Sequence, residues 1–560
     1  MVIRLLVVLF VWILFSGLSG LNGGQLFLFG QSGKRPLKFA GTWYDDEPSR
    51  LAGQLRDYEK LAWQQACAKG KNTGVGLIAA SKENTAVKPA ILAVVAPHAG
   101  YSYSGKTAAF SYLSVGNQQV KRVFLLGPSH YKGFHGAALS YDKSFQTVLG
   151  EIECDTEVVD ELKENILFQE MTRAHHQEHS LELQLAFIKS KFPKATIVPI
   201  MIGTLNDAFE ARFIARELAS QMEDGDLVVV SSDFTHYGPR FEYEPFKTEG
   251  DESKFLSRLK ALDMEALSYL ERVDLEGFMS FHKRTDDTIC GVYALSVLLA
   301  LLPEDCRGIL LNYRTSLEAT KEMGDSVDLD HDFNTVSYMS IAFESKRGGW
   351  NAVRESLLEP KPLTAEERES LLKIARITLE QFVREGRVPE LAALEKAGVV
   401  ISERMKLPHG AFVTLHKTEA GVRDLRGCIG YIFPVKPLYL TVIENTVSAA
   451  AKDPRFKPVT AGELDSLDVE VSVLTPPHKV PAYTDIKIGR DGVLLKCRGK
   501  QSVFLPSVAV ESGWTLEETL EQLALKAGLP KDAWKDGKFE VFRSESMQEG
   551  QVGQTHQVDQ

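Results

Sequence analysis

"RVFLLGPSHYKG", residues 122–133, decides how the first half of this chain folds. The apolar run after Arg122 suits a strand buried on both faces, the kind found in parallel sheets covered by helices. Gly127 and Pro128 then break the run, and His130 follows directly. Ligands in open α/β sheets bind at the carboxyl ends of the strands. An imidazole in that place poses the question of what it serves.

The same arrangement recurs on either side. "AILAVVAP" (90–97) runs into "PHAGYSYSG" with His98, and "DLVVVSSD" (226–233) runs into "DFTHYG" with Asp233 and His236. "ATIVPIMIG" (195–203) and "NTVSYMSIAFE" (334–344) read as further strands, with "HSLELQLAFIKSKF" (179–192) and "CGVYALSVLLALL" (290–302) as covering helices. Residues 35–345 are therefore expected to form an α/β domain around a largely parallel or mixed sheet. Any one of these histidines alone would be an ordinary backbone-bonded or exposed residue. The same placement on three strand ends instead favours convergence on one site.

Cys290 opens an apolar helical stretch, where a helix N-terminus would favour the thiolate. The plainer reading is a small buried hydrophobe. Two imidazoles and a thiolate suit iron, copper or zinc better than magnesium or calcium, and three protein ligands leave positions open. His98 and His130 acting as a base and its partner, without a metal, stays open as well. The other histidines read as peripheral: His135 in a polar loop, His175 and His176 as an exposed pair, and His282 at the surface.

The bulk numbers are compatible with this. At 560 residues the chain exceeds one ordinary core, so two or three domains are expected. A net charge of −11 argues against a general nucleic-acid binder. The six cysteines are scattered without a CxxC pair, which reads as free thiols in a reducing compartment. Residues 1–34 complicate the compartment. Arg4 is followed by an apolar run and then by small residues, which resembles a signal peptide without a clear cleavage site. Residues 5–21 also fit a short membrane anchor, and Lys34, Arg35 and Lys38 beyond it would keep the body cytoplasmic. A start codon placed too early is the third reading.

Breakers at Gly348, Gly349, Pro360 and Pro362 mark a linker over 346–363. Thr364 and Glu367 then form a capping box that opens a helix, and a second body follows over 364–545. "LDVEVSVLTPP" (467–477) alternates as a half-buried strand. "GVLLKCRGKQSVFLP" (492–506) reads as two strands around a turn, and "TLEETLEQLALKAGL" (515–529) as a helix. This body is α+β. Residues 546–560 are polar and expected to be disordered.

Taken in order, "AGTWYDD", "APHAGYSYSG", "LGPSH", "EHSLELQLAFI", "SSDFTHYG" and "TICG" resemble the Memo family over residues 35–345. The resemblance implies a fold like that of class III extradiol dioxygenases, which are non-haem iron oxygenases. It places metal ligands on His98, His130 and Cys290, with Asp233, His236 and His179 beside them in catalytic roles. Two departures stand out. "TVLG" (147–150) replaces the common "TPLG", and Val292 stands where animal members carry arginine, which puts any ligand contact of that arginine in doubt. A shared fold does not fix the reaction.

The second body resembles the AMMECR family, through "DLRGCIG" (424–430), "AAKDPRF" (450–456), "VEVSVLTPP", "FLPSVAVESGW" (504–514) and "KAGL" (526–529). Gly427 and Gly430 of its signature suit tight geometry or close approach, and Arg426 offers a fork for a carboxylate or phosphate. Cys428 has no neighbouring histidine to act as its base. Asp453 and Arg455 read as a local ion pair. The family names a module and no reaction.

The fusion is similar to the AmmeMemoRadiSam arrangement, which implies a separate radical SAM partner, since no CxxxCxxC motif is present here. The leading expectation is a redox protein with a non-haem iron or copper centre. Metal-assisted hydrolysis, or a non-enzymatic adaptor holding a small molecule or peptide in the strand-end cleft, are the alternatives.

Overall fold

The computed structural model describes residues 33–68, 90–163, 167–247, 250–303, 305–325, 333–346, 348–351, 353, 362–419, 422–433, 436–480 and 482–549. The leader or anchor expected over residues 1–34 therefore lies outside the described residues, apart from its last two. Among the described residues no helix is long and apolar enough to cross a membrane. The chain divides into two compact units near residue 357.

The first unit is built on a nine-stranded mixed sheet. At its centre lie four adjacent parallel strands, in the order Ala90–Ala96, Asp226–Ser231, Arg122–Pro128 and Thr196–Ile202. All four are almost wholly buried, as the near-continuous apolar runs demand. Thr335–Ser345 pairs antiparallel with Ala90–Ala96 on one side, and Ala137–Leu139 pairs antiparallel with Thr196–Ile202 on the other. Helices Pro48–Ala68, Tyr101–Ser114 and His179–Lys191 pack on one face. Ala208–Gln221, Leu275–Thr285 and Val292–Leu301 pack on the opposite face. Because the central strands are parallel, Ala96, Pro128 and Ser231 all end at one edge. Their continuations deliver His98, His130 and Asp233 there.

Two boundaries differ from the sequence reading. The stretch 346–363, read as a linker, begins as part of the first unit. Trp350 is fully buried in its core and donates to the Asp226 carbonyl at 3.0 Å. The tail, read as disordered from 546, begins as a strand: Ser544–Gln548 pairs antiparallel with Leu467–Leu474. Its one large apolar side chain, Met547, is buried, and Glu545 and Glu549 are held by Arg368 and Arg376. Residues 550–560 lie outside the described residues.

The second unit contains two four-stranded antiparallel sheets. Helices Ala365–Glu385 and Leu438–Ala451 cover the sheet that carries Val422–Tyr431. Helix Leu516–Lys526 covers the other. The capping box at Thr364 and Glu367 is present as read. Strands Gly492–Cys497 and Lys500–Phe504 flank a tight turn in which Arg498 and Gly499 both take positive φ.

Candidate metal centre

His98, His130 and Cys290 meet at the strand-end edge, with their ligand atoms all within 4.8 Å of one another. Cys290 Sγ lies 3.3 Å from His98 Nε2. The site is closed at His98, which is buried, and open at His130, which lies at the mouth. The next residue, Tyr131, is half exposed.

What the two imidazoles offer follows from their partners. Ser231 Oγ donates its only proton to the Ser180 carbonyl at 2.6 Å and accepts from the Gln184 amide at 2.9 Å. His98 Nδ1, 2.9 Å from the same oxygen, must therefore be the donor. That leaves the lone pair on Nε2, facing Cys290. His130 Nδ1 donates to Glu178 Oε1 at 2.8 Å, which frees its Nε2 in the same way. Burial lowers the pKa of His98 well below the usual histidine value, and the nearby His130, His179 and His236 lower it further. Both rings are thus set in the tautomer that a metal ligand needs.

Glu178 was missed in the sequence. It is the N-cap of helix His179–Lys191, accepting from the backbone of His179 and Ser180, and it also takes the backbone N–H of His130 at 2.6 Å. Burial alone would raise its pKa, but the hydrogen bonds it accepts from the His130 ring and the Ser180 backbone outweigh this and hold it at about 2. An acidic residue just before an apolar helix was the available signal. Gly127 is needed here for contact. A Cβ on it would sit 2.8 Å from Leu181 and 3.0 Å from Ser180 Oγ, on the helix that carries Glu178.

Cys290 does not begin the helix as read. The helix starts at Val292, with Gly291 as its cap. Burial, reinforced by Asp233, raises the thiol well above its ordinary value, so the fold does not itself supply a thiolate. The backbone N–H of Asp233 donates to Sγ at 3.2 Å. Gly291 makes the approach feasible, since a Cβ would lie 2.5 Å from Ser232 Cβ and Oγ.

The three residues read as catalytic surround this centre. Asp233 accepts from the His98 backbone N–H at 2.8 Å, and burial pushes its pKa up to about 7. His236 Nδ1 faces two carbonyls, Phe234 and Thr288, both at 2.9 Å, so its lone pair is also on Nε2. Burial lowers its pKa to about 4. His179 lies 4.3 Å from His130 and 5.4 Å from His98, ring centroid to centroid. Burial and the neighbouring His130 lower it to about 4. Trp43, at 4.5 Å, Phe39 and Tyr131 wall it in.

His130, Glu178 and His179 form a second cluster with metal-ligand spacing. Glu178 Oε1 already takes the His130 ring N–H and two backbone N–H groups, and Oε2 takes a third. This carboxylate is occupied as a support, and the cluster is the outer layer of one centre.

The pair read as exposed is not. His175 is fully buried, its Nε2 donating to the Ala138 carbonyl at 3.0 Å, and burial lowers its pKa to about 4. His176 pairs with Asp142 at 2.7 Å. A helix of only four residues, Thr172–His175, turns His175 inward, and no periodicity announces so short an element. His282 pairs with Asp287 at 2.9 Å.

In the second unit the signature residues gather on strand Val422–Tyr431, and their contacts are internal. Arg426 grips Glu463 with Nε at 3.0 Å and Nη2 at 3.2 Å, so its fork is already filled by a carboxylate. Cys428 accepts from the Thr414 hydroxyl at 3.3 Å, and its N–H is taken by Asp453, which pairs locally with Arg455. Burial raises the Cys428 thiol. A Cβ on Gly427 would lie 2.3 Å from the Ala449 carbonyl oxygen, and one on Gly430 2.2 Å from the Phe412 ring. Both glycines serve close approach.

An α/β sheet whose parallel strand ends present two tautomer-fixed imidazoles beside a cysteine defines a protein able to hold one metal ion. Residues 35–331 match the model of the Memo-like protein family and residues 372–547 match that of AMMECR1. The chain belongs to the Memo family, with an AMMECR1 domain fused after it. Protein MEMO1 of Xenopus laevis is 31% identical over 271 residues, which is 47% of this chain and 83% of that protein. The memo-1 homolog of Caenorhabditis elegans is 35% identical over 47% of this chain and 70% of its own length. A protein of Thermococcus gammatolerans is 43% identical over 181 residues, 31% of this chain and 85% of its own length.

Proposed function

We propose that the first unit is a metal-dependent redox protein with iron or copper at His98, His130 and Cys290. The observation that carries this reading is the locking of both Nδ1–H groups, on Ser231 and Glu178, which leaves an Nε2 lone pair on each ring of a donor set lying within 4.8 Å. Imidazole and thiolate donors suit those metals, which supply one-electron chemistry and leave positions open for a substrate. The chain's own residues do the rest. Cys290 gives up its proton on ligation. His236 Nε2, neutral and tautomer-fixed, takes up a proton from a bound substrate. His179 and its aromatic wall exclude water on the open side. Asp233 braces the His98 backbone and, with a pKa of about 7, can hold or release a proton near neutrality.

Elemental analysis of protein purified without oxygen tests the centre. Retention of about one iron or copper per chain, lost in Cys290→Ala, is expected. Retention unchanged by that substitution would overturn it. Oxygen uptake with a candidate substrate separates redox chemistry from metal-assisted hydrolysis, which would need only water and the His236 base. The fused protein is proposed to act with a separate radical SAM enzyme, and co-purification of the two tests that.

A further inference from the structure

The contacts around His130 continue inward to a fully buried ion pair. Arg35 Nη1 meets Glu182 Oε2 at 2.7 Å, with both side chains entirely shielded from solvent. Glu182 stands one helical turn after Glu178. Arg35 also donates through Nη2 to the Glu178 carbonyl at 2.7 Å and through Nε to the His175 carbonyl at 2.8 Å. The other oxygen of Glu182 accepts from the Tyr44 hydroxyl and the Phe39 backbone N–H, both at 2.8 Å. Residues 35–44, which carry Phe39 and Trp43 of the aromatic wall, are thereby pinned to the turn that carries Glu178 and His179.

A buried pair of this kind contributes little net stability compared with apolar packing, so its value is in specifying geometry. The geometry specified is the position of one carboxylate. Glu178 takes both the backbone and the ring N–H of His130, and among the described residues no other hydrogen bond reaches that ring, which lies at the open mouth.

We propose that Glu178 is the positioning residue of the metal centre, setting the tautomer and orientation of His130, and that the Arg35–Glu182 pair holds Glu178 in place. This rests on the metal reading above, but the His130 tautomer can be read without any metal. Outer partners of this type typically change metal affinity about ten- to a hundredfold.

The experiment uses the full chain with isotope-labelled histidine, in wild type, Glu178→Gln and Arg35→Lys. Nitrogen NMR of the metal-free protein reads the ring tautomers, competition with a chromophoric chelator reads zinc affinity, and cobalt absorption reports the thiolate ligand. Wild-type His130 is expected with its proton on Nδ1. Glu178→Gln should give mixed tautomers and zinc binding weakened about ten- to a hundredfold, with the cobalt–thiolate band retained. Arg35→Lys, which keeps the charge but loses the forked grip, should weaken zinc by a smaller factor. If Glu178→Gln fails to fold, the wild-type spectrum decides, and a proton on Nε2 overturns the proposal. Lowered thermal stability with unchanged tautomer and affinity would also overturn it, showing a merely structural role. If wild-type His130 has its proton on Nδ1 but no metal binds, the metal reading fails and the positioning of His130 stands.

Discussion

Ser231 fixes the protonation pattern of His98 through one oxygen: it gives its proton to Ser180, accepts from Gln184, and so obliges the ring to donate. Ser231→Ala removes three buried hydrogen bonds at once. The expected outcome is a loss of about 2 kcal/mol in stability and about tenfold in zinc affinity. Urea unfolding and chelator competition measure the two separately.

Gly291→Ala places a methyl group 2.5 Å from Ser232. The loop must move, and Cys290 moves with it. Overpacking of this sort costs about 1–3 kcal/mol. The cobalt–thiolate absorption should weaken or vanish, whereas an unchanged spectrum would show that the loop absorbs the methyl without moving Cys290.

Metal loading should raise the thermal midpoint of the first unit. At a hundred times the dissociation constant the gain is about 2.7 kcal/mol. A chelator should reverse it, and a His98→Ala, His130→Ala double variant should show no gain. Calorimetry with and without zinc checks this.

The pH dependence of the first unit has a contributor away from the metal. His175 donates from Nε2, and its buried Nδ1 has no partner. Burial holds its folded pKa at about 4, below the unfolded value of 6.5, so the unfolded chain binds the extra proton more readily. Its contribution is therefore fully present above pH 6.5 and is lost as pH falls toward 4, up to about 3 kcal/mol. Hydrogen exchange over residues 171–191 should accelerate between those limits, and less so in His175→Gln.

In the second unit, Gly427→Ala drives a methyl onto the Ala449 carbonyl oxygen and should cost more than about 2 kcal/mol. Cys428→Ser should cost less, because a hydroxyl can keep the Thr414 contact. Thermal unfolding of the two variants orders them, and the reverse order would show that the close approach at Gly427 is not the tighter constraint.

The parallel strands and their histidines were legible because a strand buried on both faces needs a continuous apolar run, and Gly127–Pro128 marks where it stops. The helix at residue 179 was legible for the same reason. What was not legible depends on distance along the chain. Nothing local to Arg35 announces Glu182, 147 residues away, or tells that Ser231 would meet His98 rather than solvent. His175 and the strand at Ser544–Gln548 were misread because each carries a single buried side chain, too few for a period to show. The helix read as starting at Cys290 starts at Val292 instead, because Gly291 caps it.

His98 and Cys290 touch across 192 residues of chain. A nascent chain cannot assemble this donor set until residue 290 has left the ribosome and the sheet has closed. On the metal reading proposed above, ion capture would follow folding and could not guide it.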